Sequence, residues 1–355
     1  LLADNGLMSM SPEFAASTAL VVVGTALFFY SLSGFLLRAM QFARPLYLRG
    51  LNMFTLRQLN ARVNTAFATL TVVCLVLFLA ITCVCTGLGL RDATEDSLAK
   101  GTSYSATAST TIAIVGQGGE THRLAYLDPY ADFMESVGYD MREGLAKSMR
   151  DADAGDFDAL VTASVQLDSL YDTQDLVTYG AIEESSGVRL ADAVSFGLMN
   201  PGYEDAPLPF MRLSQVNAAL ELAGKAPIDL GEGECAVLTD MDAFRPLWDG
   251  VARSGARVSV GGKDLAIASA RFDCVETTTY QCNTGALVLR DEDVPAGCVL
   301  GASKLDMQCA SEDAEAALSK ALGAVAEGAE SDAWPLRYGM FLTRADCQEQ
   351  SIGVS

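Results

Sequence analysis

The sequence predicts a membrane α-helical segment of two spans joined to a large extracytoplasmic α+β domain, on three observations. Two uncharged apolar runs of spanning length lie within the first 90 residues. The charge is unevenly divided: the 355 residues hold 24 Lys and Arg against 45 Asp and Glu, yet residues 1–90 carry five Arg and two acids, leaving −24 on residues 91–355. No apolar run of spanning length recurs after Leu90, where Gly, Pro, short β-like stretches and amphipathic helical stretches alternate instead.

The first run, Phe14 to Leu37, is 24 residues without a charge. At about 1.5 Å rise per residue it exceeds the roughly 30 Å hydrocarbon core. The second, Ala66 to Leu90, is 25 residues, with Thr and Gly contents ordinary for a helix in lipid. Neither matches a signal peptide, whose apolar region is about 7 to 15 residues behind a basic flank. The predicted organisation is therefore an outer flank (1–13), a span (14–37), a basic loop (38–65), a second span (66–90) and an acidic domain (91–355).

The loop sets the orientation. Arg38, Arg44, Arg49, Arg57 and Arg62 all lie in it and no acid does, so the positive-inside rule places it in the cytoplasm and residues 91–355 outside the cell. Within it, Leu48, Leu51, Leu59 and Val63 share a helical face that Asn52 and Thr55 interrupt. Either this segment lies at the cytoplasmic interface, with Arg49, Arg57 and Arg62 reaching lipid headgroups, or it is a solvated linker.

In the acidic domain, Ser103–Val115 reads as a strand and Tyr126–Arg150 as a helical region. Leu213-Ser214 opens a helix with Ser214 as N-cap, and Val216, Ala219, Leu220 and Ala223 form its apolar face before Gly224. Cys235–Leu238 reads as a strand and Val258 to Ile267 as a hairpin about Gly261-Gly262. Ala286–Leu289 is a further strand, Ser311 starts a helix running to about Ala326, and Tyr338–Leu342 is the last strand.

Of nine cysteines, Cys74, Cys83 and Cys85 fall in the second span as small apolar packing residues. Cys235, Cys274, Cys282, Cys298, Cys309 and Cys347 are an even set in an oxidising compartment, so up to three disulfides can form, with buried free thiols as the alternative.

The net charge of −21 opposes nucleic-acid binding, which requires clustered Lys and Arg. A phosphate-binding G-x4-G-K-[ST] loop is missing: Lys263 is followed by Asp264 and Lys225 by Ala226, so any ATP-driven step requires a partner. The single histidine, His122, disfavours Ser-His-Asp chemistry and a multi-histidine metal site. Asp151, Asp153, Asp156 and Asp158 imitate a calcium loop, but its sixth position is Asp156 rather than Gly and its twelfth is Thr162 rather than Glu. The reading is of a protein without catalytic residues, cofactor or metal.

The segment LYLRGLNMFTLRQLNARVNTAFATLTVVCLVLFLAITCVCTGLGL resembles the juxtamembrane helix and following span of FtsX-like permeases of ATP-binding-cassette transporters, of the bacitracin-export and macrolide-exporter type. VVVGTALFFYSLSGFLLRAM is similar to the preceding span, and MRLSQVNAALELAGKAPIDLGEGECAVLTD resembles a stretch of the large extracellular domain of these permeases. The resemblance implies a central fragment of a ten-span permease subunit. Such a subunit works with a cytoplasmic ATPase, contacts membrane lipid and in some cases pairs with a sensor histidine kinase. It also implies handling of a peptide or lipid-linked substrate, as in antimicrobial-peptide resistance. The competing expectation is a membrane-anchored sensor that signals through a partner kinase without transport.

Overall fold

The computed structural model describes residues 16, 19–28, 30–31, 52–111, 113–115, 124–126, 139–172, 176–190, 203–327 and 339–354. It divides into two units, Leu1–Ala93 and Thr94–Ser355.

In the first unit, the apolar helix α1 (Ala19–Phe28) lies within the first predicted span; most of the rest of that span falls outside the described residues. Helix α2 (Asn52–Gly101) has 50 residues. Over Thr71–Gly101 it is the one helix among the described residues long and apolar enough to cross a membrane. Within it the Thr82 hydroxyl donates to the Phe78 carbonyl at 2.8 Å, one turn back along the same helix. Helix α2 runs without interruption through the expected segment limits at 65/66 and 90/91. No proline falls between Asn52 and Gly101, and the charges that begin at Arg91 alter the solvent a helix prefers without breaking its backbone bonds.

In the second unit the sheet strands are β1 (Ala106–Thr111), β4 (Val161–Asp172), β5 (Phe210–Arg212), β6 (Glu234–Thr239), β7 (Arg257–Val260), β8 (Lys263–Phe272), β9 (Ala286–Leu289), β10 (Cys298–Cys309) and β11 (Gly339–Thr343). Their order is β11-β1-β10-β4-β5-β9-β6-β8-β7. The β5–β9 and β6–β8 pairs are parallel and the others antiparallel. A separate hairpin joins β2 (Ala113–Val115) to β3 (Leu124–Tyr126). The mixed sheet with helices agrees with the α+β expectation.

Cys235–Leu238 of β6 and Ala286–Leu289 of β9 are apolar at successive positions because both faces are covered. In β6, Cys235 and Val237 enter one core while Ala236 and Leu238 enter another, and in β9 Leu287 and Leu289 alternate with Ala286 and Val288 in the same way. Helix α5 (Tyr179–Ser186) and helix α7 (Arg245–Ser254) supply Ile182, Leu247, Trp248 and Val251 to the first core. Helix α6 (Leu213–Leu222) supplies Val216, Ala219 and Leu220 to the second. A third core lies where α3 (Met141–Asp151), α4 (Phe157–Leu160) and α8 (Glu312–Glu327) place Met141, Leu145, Phe157 and Leu318 against β1 and β10. Helix α9 (Arg344–Val354) follows β11.

The local signals hold with two corrections. The helical region expected over Tyr126–Arg150 is a helix only from Met141, behind the Asp140 cap: Tyr126 ends β3, and residues 127–138 lie outside the described residues. Ser311 accepts from Ala314 N–H at 3.2 Å at the start of α8, and Gly224 follows α6 at φ +69°. Ser214, however, does not cap α6: the cap position is Arg212, without a side-chain bond, and the Ser214 hydroxyl donates to Asp291 at 2.6 Å. A carboxylate from a distant turn outcompetes the local backbone for that hydroxyl.

Asp168 on β4 ties three elements together. It accepts from Gln166 (2.9 Å), Gln215 of α6 (2.8 Å) and Ser303 of β10 (2.7 Å) while only 7% exposed. Asp168→Ala strands those donors and is expected to destabilise the domain by roughly 2 to 4 kcal/mol, read as a lowered midpoint in denaturant unfolding followed by tryptophan fluorescence.

Candidate functional site

The residues singled out from sequence do not converge on one site. Arg49 lies outside the described residues, as does His122, and Arg57 and Arg62 lie on α2, where only the backbone is described. All nine cysteines hold free thiols. Cys298 and Cys309 stand at opposite ends of the β10 strand, about 36 Å apart at the usual rise, far beyond disulfide reach. Burial pushes the Cys235 thiol up to about 12, and those of Cys298 and Cys347 to about 11, so these are unreactive packing groups. Among the described residues no group of His, Cys, Asp and Glu is arranged to hold a metal ion.

Cys274 and Cys282 lie in the segment Asp273–Gly285, between β8 and β9, and this segment organises the strongest polar cluster of the domain. Glu276 reaches Lys304 of β10 at 2.7 Å, with the two side chains 15% and 21% exposed. Asp306, two residues on and on the same face of β10, is fully buried; one of its oxygens accepts from Thr107 of β1 at 2.6 Å and the other has no hydrogen-bond partner among the described residues. Thr107 in turn accepts from the Thr277 N–H at 2.7 Å. Asp240, just past β6 and 7% exposed, accepts from the Asn283 N–H at 2.9 Å. The Asn283 side chain donates to the Leu238 carbonyl at 3.1 Å, and its own carbonyl accepts from the Thr239 hydroxyl at 2.6 Å.

The same segment holds the last turns of α2. The Thr278 N–H donates to the Gly101 carbonyl at 2.8 Å, where the helix leaves its carbonyls unpaired. Gln281 donates to the Ser97 carbonyl at 2.9 Å and accepts from the Ser97 hydroxyl at 2.6 Å. Lys100 pairs with Asp242, which also binds Arg245 at 2.7 Å. Just beyond, Tyr104 is fully buried and donates to the Ala219 carbonyl at 2.9 Å. Glycine is required at 101 because a Cβ there would overlap the Thr278 carbonyl oxygen.

One ammonium thus faces three carboxyls. Burial first, and then repulsion from Glu276, pushes the Asp240 carboxyl up to about 6. Burial pushes Asp306 well above the carboxylate range, partly offset by the Thr107 hydroxyl and Lys304. Burial alone would lower Lys304, but Glu276 and Asp306 outweigh it and the ammonium is held more firmly than usual. At the surface, the hydrogen bonds from Lys100 and Arg245 keep Asp242 below the usual range. This arrangement can exchange a proton and can grip a helix end.

Sequence reasoning passed over Asp240, Glu276, Lys304 and Asp306 because they are scattered over 67 positions and share no motif. The one legible hint was Lys304-Leu305-Asp306, two charges on one face of a strand. A separate open cleft of about 750 Å³ lies beside the sheet-edge strand β11, lined by Leu322, Met340, Leu342, Asp346 and Glu349 among others.

No family model and no curated protein matches this chain. Gly101→Ala is expected to push the 278 carbonyl aside and lower domain stability by roughly 1 to 3 kcal/mol, with Gly87→Ala, which has nothing within 4 Å, as the silent control in the same thermal melt.

Proposed function

We propose that this chain belongs to the transmembrane subunit of an ATP-binding-cassette transporter, coupling a separate cytoplasmic ATPase to an extracellular domain that handles a peptide or lipid-linked substrate. The observation that carries this reading is the continuity of α2. One unbroken helix contains the 31-residue candidate span Thr71–Gly101 and ends in a turn held by Thr278, Gln281 and Asp242. A helix is stiff along its axis because each residue adds a backbone bond parallel to it, so a push on one end is delivered to the other. The five arginines of residues 38–65, without an acid among them, favour a cytoplasmic start of α2 and an exterior position of Thr94–Ser355.

The acidic excess after Leu90 favours a cationic ligand by attraction over about one Debye length, roughly 8 Å at physiological salt. With no phosphate-binding loop in the sequence, nucleotide hydrolysis falls to a partner.

Affinity purification of the protein from detergent-solubilised membranes, with mass spectrometry and an ATP hydrolysis assay on the eluate, tests this. An ATPase subunit in stoichiometric yield is the expected result. A kinase without an ATPase would replace the transporter with a sensor, and neither would overturn both. In the same system, replacing Arg49, Arg57 and Arg62 together with Glu is expected to disturb insertion or abolish stimulated ATP hydrolysis while residues 94–355 stay folded. Unchanged topology and activity would count against the cytoplasmic placement.

A further inference from the structure

We propose that Asp240 is a proton-operated clasp: taking up a proton, it tightens the hold of the Asp273–Gly285 segment on the end of α2, and releasing it loosens that hold. The inference concerns Thr94–Ser355 alone and stands whether or not the chain is a permease.

The geometry sets the terms. Asp240 accepts from the Asn283 N–H, and Asn283 is bonded to Leu238 and Thr239, so this end of the segment is pinned at Asp240. Between Asp240 and the helix, the segment carries Thr278 and Gln281, the two residues bonded to Gly101 and Ser97. The groups facing Asp240 come from two elements. The segment itself brings Glu276 and Cys282, and Cys274, whose thiol donates to the Glu276 carbonyl at 3.3 Å. Strand β10 brings Lys304, already committed to Glu276, with Asp306 beyond it. Tyr104 and Asp273 complete the surround of the cluster, and Asp273 is spoken for by Lys225 at 3.3 Å and Arg271 at 2.6 Å. No second cation among these answers Asp240.

The sign follows from linkage. In the closed arrangement the Asp240 carboxyl titrates near 6, whereas in an opened segment exposed to water it returns toward the ordinary 3.8. The closed form therefore binds the proton more tightly. Closure gains as pH falls through about 6 toward 4, and that gain is absent above about 6. Asp242, held below the usual range by Lys100 and Arg245, stays ionised through this window and keeps its grip on Lys100.

Hydrogen exchange of the full chain in detergent, read by mass spectrometry at pH 7.5 and pH 5.5 and corrected for the chemical pH dependence of exchange, tests the clasp. Peptides covering residues 277–285 and 97–101 are expected to gain protection of about fourfold at the lower pH, while β6 and β9 stay level. Asp240→Asn, which keeps the acceptor and removes the charge, is expected to be protected at both values with no step. Glu276→Gln removes the repelling neighbour and is expected to move the midpoint of the step to lower pH without erasing it, a shift that mere loosening would not produce. Equal protection at both pH values in the unmodified chain, a loss at pH 5.5, or a step that survives Asp240→Asn overturns the proposal.

Discussion

Much of this domain depends on one ammonium group. Lys304 projects from β10, the strand that pairs with β1 on one side and β4 on the other, and it reaches a carboxylate on a segment that no strand pairing holds. Removing one member of such a pair costs about 3 to 5 kcal/mol when both are deeply buried, because the other is left as an unanswered charge. Here each side chain keeps between a seventh and a quarter of its surface open, and water softens that figure. Even so, the pair fixes where Glu276 lies, and Thr277 and Thr278 follow from it, one bonded to Thr107 and Tyr104, the other to Gly101.

The three cores give that cluster a rigid frame. Strands β6 and β9 are covered on both faces, so their backbones cannot shift without moving two packed layers. Thr239, Asp240 and Asn283 sit at the ends of those strands, where a buried sheet gives way to polar turns. A carboxyl in that position loses its water without gaining a dedicated cation, and its proton affinity rises for that reason. Free thiols at Cys235 and Cys274 fit the same account: they are small apolar groups in a packed wall, and burial keeps them protonated.

What could be read from the sequence was what depends on neighbours in the chain. The hairpin at Gly261-Gly262, the Ala286–Leu289 strand and the start of α8 at Ser311 are set by turn chemistry and alternation within a dozen residues. Ser214 went astray because Asp291, 77 positions away, takes its hydroxyl. The charge cluster was hidden for the same reason, since the relation of Asp240 to Glu276 and Lys304 exists only once β6, β8, β9 and β10 have been ordered in the sheet. The even count of cysteines left pairing and buried free thiols both open; the thiols are free, and β10 alone separates two of them by its whole length.

Helix α2 shows that a change of solvent and a change of structure need not coincide. Val72, Val76, Leu79, Ile81, Val84 and Leu88 each expose more than half of their surface, and at 100° per residue they are distributed around the helix rather than along one stripe. A helix apolar on every side has no face to offer water, and at about 25 cal/mol per Å² of apolar surface the penalty of leaving it wet far exceeds what its own hydrogen bonds return. Lipid or other apolar helices must cover it. At Arg91 and Asp92 the composition turns polar, and Glu95 and Asp96 continue the change, yet the backbone bonds run on to Gly101. A composition boundary marks where the surroundings differ; the helix ends only where a carbonyl finds another donor, and for Gly101 that donor is Thr278.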